Sequence, residues 1–169
     1  MNNKAILGLL AATVLTLTGT SEAHADVYSK EACWLAEGFE SDAVYQQTLS
    51  QWKATQPPHP GYYDLYQSWN TYRFEMDTRV PNLPTITRSD KSLHCYIGCR
   101  ISQDVNEPSG VYTGWLKEKR DLTDCDSGTH FEIIDSTVTT WGAAWGRNSD
   151  DPGICVENCE KLAALNIPH

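Results

Sequence analysis

The chain has 169 residues, 21% of them charged, and a net charge of −9 at neutral pH. That length supports one domain with a true hydrophobic core. The acidic balance repels phosphate backbones and anionic surfaces, which argues against nucleic acid as a partner.

Lys4 opens the chain with a short positive region, and Ala5 to Leu17 is mostly apolar and uncharged. Ser21-Glu22-Ala23-His24-Ala25 ends in Ala-x-Ala, the small-residue pattern cleaved by signal peptidase. The apolar run is too short for a stable span, and no later segment is long and apolar enough for stable membrane insertion. The pattern predicts a signal peptide over 1–25 and a soluble mature chain, periplasmic or secreted, beginning at Asp26. An uncleaved anchor is the alternative. Removal of Lys4 and Glu22 together leaves the net charge unchanged.

Ser29 is positioned to cap a short helix running to about Phe39, with Cys33 and Trp34 inside it. Ser41 can cap a second helix in which Tyr45, Leu49 and Trp52 share a face. Pro57-Pro58-His59-Pro60-Gly61 breaks the chain. A third helix is expected from Tyr62 to about Arg79. Tyr62, Tyr66, Trp69, Tyr72 or Arg73, and Met76 lie along one side, which reads as a packing face rather than a ligand-stacking surface. Val80-Pro81-Asn82-Leu83-Pro84 ends that helix.

Ser89 or Asp90 can cap a fourth helix holding Leu93 to Ser102. Asn106 to Gly110 reads as a polar turn, and a fifth helix is expected over 111–122. Between Thr129 and Trp145, the residues Phe131, Ile134, Val138, Trp141 and Trp145 recur at helical steps. The β-branched residues there favour a strand pair as the alternative. Asp151-Pro152 marks the start of a last helix through Leu165. The expected fold is mainly α, a disulfide-stapled helical domain of about six to seven helices. An N-terminal helical segment over 26–87 packs with a disulfide-linked region over 88–169 as one domain. With six Trp and eight Tyr, the chain also has the aromatic side chains for a core or a gripping surface.

Six cysteines in an exported chain read as three disulfides; a zinc site is the weaker alternative. Cys95 and Cys99, like Cys155 and Cys159, stand four apart, one turn along a helix face. Two antiparallel helices would join Cys95 to Cys159 and Cys99 to Cys155, leaving Cys33 for Cys125. A bond within each close pair is the alternative, but it strains a regular helix.

For chemistry, three helices can aim His94, Glu118 and Asp135 at one pocket, with Lys117, Asp121 and Thr139 in support. In that arrangement Glu118 is a general acid or base and Asp135 orients His94. A divalent metal held by His94, Glu118 and Asp135 is the alternative; no other cofactor is indicated. The plainer reading leaves Glu118 and Asp121 as solvated residues and His94 packed beside a disulfide. His59, His130 beside Glu132, and His169 are weaker candidates. Signature motifs for serine hydrolases, phosphate-binding loops and zinc proteases do not occur.

His94-Cys95-x-x-x-Cys99, Gly114-x-x-Lys117-Glu118-x-x-Asp121, then Asp135-x-x-x-Thr139-x-x-Gly142, then Cys155 resembles a helical domain. That domain occurs at the C-termini of RHS-type polymorphic toxins and in free-standing secreted bacterial proteins. The resemblance covers about residues 92–160 and departs at Thr139, where the pattern has Asn. It implies a shared helical site around His94, Glu118 and Asp135 and no particular activity. Two functions follow as expectations. The first is binding of a protein or cell-envelope partner, as an inhibitor, adhesin accessory or immunity-like protein. The second is a secreted hydrolase or toxin-like enzyme using His94, Glu118 and Asp135.

Overall fold

The computed structural model describes residues 30–125 and 129–163. The expected signal peptide, the Ser29 cap and the end of the last helix at Leu165 lie outside the described residues. Among the described residues there are seven α-helices: α1 (Lys30–Ala36), α2 (Asp42–Ala54), α3 (Tyr62–Phe74), α4 (Asp90–Asp104), α5 (Glu107–Asp124), α6 (Ile133–Gly146) and α7 (Pro152–Ala163). No strand occurs among the described residues, so the β-branched run near Val138 is helical. None of the described helices is long and apolar enough to cross a membrane.

Ser41 caps α2, its side chain accepting from the Val44 amide at 3.3 Å. Tyr45 and Trp52 on that helix are buried, as their shared face predicts. Trp52 stacks on Trp115 of α5. Each indole N–H donates to the other residue's carbonyl, at 3.4 and 3.2 Å. Both polar handles are thereby satisfied inside an apolar contact. Phe131 closes the cluster edge-on against Trp52.

The third helix departs from expectation in two ways. Its α-helical part stops at Phe74; a π turn (Glu75–Arg79) and a short 3-10 turn (Val80–Asn82) follow. Its aromatic side packs only at the far end, where Tyr72 and Met76 lie against the core; Tyr62, Tyr66 and Trp69 are 88%, 61% and 53% exposed. The face turned inward carries Ser68, Thr71 and Glu75. Polar partners explain that choice. The buried Glu75 carboxylate accepts from Tyr96 Oη at 2.7 Å and from Arg100 Nε at 2.9 Å. Thr71 donates to Asp104 at 3.2 Å.

Two helix starts also differ from expectation. Asn106 is an N-cap whose side chain accepts from the Ser109 amide at 2.9 Å. The expected turn over 106–110 is therefore the first turn of α5, where Pro108 needs no amide partner. Helix α6 begins only at Ile133, and Phe131 precedes it in extended chain.

Helix α4 is the centre of the fold. It crosses α6 so closely that neither side has room for a Cβ at the contact. A methyl on Gly142 would collide with the Cys95 carbonyl, and one on Gly98 with the Thr139 backbone. On another side α4 lies antiparallel to α7, joined by Cys95–Cys159 and Cys99–Cys155, both with Cα atoms 5.6 Å apart. These are the pairs expected of two antiparallel helices. Cys33–Cys125 ties α1 to the left-handed residue that ends α5. All six cysteines are paired. The core around α4 buries Tyr96, Ile97, Ile101, Val138 and Leu162 together with the four staple cysteines.

Candidate functional site

The α4–α6 crossing sets His94 opposite Asp135 and Thr139. His94 Nε2 faces two carboxylates, Asp135 at 3.6 Å and Asp90 at 3.8 Å. His94 Nδ1 lies 3.5 Å from Thr139 Oγ1. The Thr139 hydroxyl donates its proton to the Asp135 carbonyl at 2.7 Å, so it gives no proton to Nδ1. Two carboxylates at Nε2 favour the proton on that nitrogen. Burial lowers the His94 pKa, against the opposing pull of Asp135 and Asp90. Burial raises that of Asp135, with His94 and Lys91 working the other way.

Lys91 is the counter-ion of this cluster. Its ammonium sits 2.6 Å from Asp135 Oδ1 and 2.8 Å from Asp90, and it also pairs with Glu132. Burial alone would lower its pKa; hydrogen bonds to Asp135, Asp90 and Glu132 overcome that and raise it. The ammonium stays charged while buried because three carboxylates surround it.

Glu118 is connected to the same network from behind. Its Oε2 accepts from the Glu132 amide at 2.9 Å. Its Oε1 is buried with no hydrogen-bond partner among the described residues. Burial pushes its pKa up to about 8, despite that amide, and the charges of Asp135 and Asp121 add to the rise. The side chain is fully buried and does not border the cavity beside His94. Glu118 therefore positions the chain before α6 and cannot touch a bound molecule. Lys117 pairs with Asp121, one turn on, at the edge of the site.

The trio that offers ligand atoms within 4.8 Å of one another is Asp90, His94 and Asp135. Glu118 is outside that trio. The Lys91 ammonium already sits against both carboxylates of the trio and would compete with a divalent cation for their oxygens.

His94 opens onto a cavity of about 730 Å³ between α3, α4 and α5. Its walls are Leu65, Trp69, Tyr72 and Met76 from α3, Leu93 and Ile97 from α4, and Leu116 from α5. Thr139 reaches its floor through the gap left by Gly114. A Cβ on Gly114 would lie 2.7 Å from Thr139 Cβ. Lys117, Lys119 and Arg120 stand along the α5 side.

Of the residues singled out by sequence, His94, Asp135 and Thr139 meet directly, whereas Glu118, Lys117 and Asp121 stand behind or beside them. His59 is distant from this cluster in role: it packs edge-on against Tyr62 and Tyr112. Asp90 was expected only as a helix cap and Glu132 only beside His130, and Lys91 was not expected. Asp90 stands four residues before His94, a legible helical neighbour. Lys91 carried no such signal, since lysines are rarely buried. No protein-family model, curated protein or solved structure matches this chain.

Proposed function

We propose that the protein is exported and binds an apolar-bodied component of the cell envelope in the α3–α4–α5 groove. The observation that carries this is the cavity itself, about 730 Å³, open, and walled largely by apolar side chains. A groove of this size and lining is typical of a small-molecule site. Three disulfides fit an oxidising compartment, and the Ala-x-Ala stretch before Asp26 fits export to the periplasm or beyond.

The test is to purify the protein from the envelope fraction and analyse what its organic extract contains. Wild type is expected to carry an envelope amphiphile that a Leu93→Glu variant, with a charge placed in the groove wall, lacks. Identical extracts from two folded proteins would refute the reading.

The His94 geometry favours a second reading, hydrolysis of the bound molecule. With the proton held on Nε2, Nδ1 carries the lone pair of a ring that lines the groove beside Thr139. It could take a proton from water as the water oxygen attacks an ester carbonyl carbon. The proton would then pass to the departing alkoxide as the ester C–O bond breaks. His94→Ala is expected to lower turnover of an aryl ester at least about 100-fold. An unchanged rate removes this second reading and leaves binding.

A further inference from the structure

We infer that the groove selects an anionic amphiphile, a single apolar chain ending in a carboxylate or phosphate. The inference rests on the reading of the groove as a binding site and adds the chemistry of the head group. The chain as a whole has 22 acidic and 13 basic residues. The groove reverses that balance. Its lining includes Lys117, Lys119 and Arg120, all on one stretch of α5, and one carboxylate, Asp90. Asp90 shares the Lys91 ammonium, at 2.8 Å, with Asp135 and Glu132. An acidic molecule with a basic rim around one apolar cavity directs an anion there.

The rim cations are available. Among the described residues, Lys117 and Arg120 pair with residues one turn further along their own helix, Asp121 and Asp124. Their side chains are 40% and 74% exposed. The Arg120–Asp124 pair is of the weak, exposed kind and can exchange for a ligand's oxygens, whereas Lys117 also covers the buried Asp121 carboxylate. The Lys119 ammonium lies over the Trp115 ring at 5.2 Å, and among the described residues no carboxylate is within ion-pair distance of it. Below the rim, Trp69, Met76, Leu93 and Ile97 offer an apolar surface for a chain. A cationic amphiphile would meet the rim with like charge. A neutral one would gain the wall alone.

The experiment measures binding of three probes with the same chain to the oxidised protein, below their micelle concentrations. Laurate carries the anion, dodecyl maltoside a neutral head, and dodecyltrimethylammonium a cation. Trp69 fluorescence reports occupancy, with calorimetry as the independent readout. Laurate is expected to bind at least about tenfold more tightly than dodecyl maltoside, and the cation more weakly than both. Added salt should narrow that ratio. In Lys119→Glu and Lys117→Gln/Arg120→Gln variants the laurate to maltoside ratio should fall at least about threefold. Equal binding of all three probes, or a ratio unmoved in both variants, overturns the anion preference while leaving the groove as a site. Binding of none of them overturns the groove reading itself. Arg120 is exposed and Lys117 and Lys119 are partly exposed, and circular dichroism should show both variants folded.

Discussion

Glu118 holds its carboxyl between α5 and the residue before α6, with one oxygen on the Glu132 amide and the other without a partner among the described residues. Its pKa rises from an ordinary 4.5 to about 8 in the folded chain, so the native state holds a proton that the unfolded state has lost. Stability therefore falls as pH rises from about 4.5 to about 8 and levels off above. In Glu118→Gln this slope should flatten. The difference in Tm between pH 5 and pH 8 is expected to shrink by about 3 °C or more, measured by thermal melts across that range. An unchanged slope would mean that Glu118 is ionised in the native state. At this scale the sequence shows which residue types share a helix face, and it placed Asp135 and Thr139 together. It does not show depth. Glu118 reads equally well as a solvated neighbour of Lys117, and only the packing of α6 makes it an interior acid.

Helix positions follow largely from local signals: Ser41 at a cap, Pro152 in a first turn, and helical steps through Tyr45, Leu49 and Trp52. Which face packs is a separate matter. On α3 the first aromatic residues, Tyr62, Tyr66 and Trp69, stay open and the side with Ser68, Thr71 and Glu75 goes inward, because Tyr96, Arg100 and Asp104 on α4 supply partners for it. Periodicity cannot see those partners. The same holds for the α4–α6 crossing, where Gly142 and Gly98 let two backbones touch. Gly142→Ala puts a methyl against the Cys95 carbonyl, which belongs to backbone and cannot swing away. The expected cost is about 2 kcal/mol or more, read as a lower denaturant midpoint with an unchanged slope. The same substitution should also shift His94 from Asp135, visible as a displaced imidazole resonance. Wild-type stability in this variant would mean that the helices separate freely at that point.

Across the whole molecule, the disulfides differ in what they constrain. Cys33–Cys125 closes a separation of 92 residues, while Cys95–Cys159 and Cys99–Cys155 close 64 and 56. The last two enclose nearly the same loop, so either one alone already holds α4 to α7. Chain entropy then assigns about 4–5 kcal/mol to Cys33–Cys125 and about 2–3 kcal/mol to one staple bridge removed from the pair. Paired Cys→Ser variants compared by denaturant unfolding check that order. A larger loss from one staple bridge would show that it acts through native packing at α4 rather than through the unfolded chain.

The sequence by itself determined the helical class, the positions of most helices, the pairing of cysteines four apart and the candidate residues His94 and Asp135. Those follow from local spacing, capping and covalent geometry, which act over a few residues. The tertiary structure decided what spacing cannot carry: the Lys91 counter-ion, the burial of Glu118, and the apolar groove with its basic rim. Each of these depends on which distant helices meet and on how much water their meeting excludes.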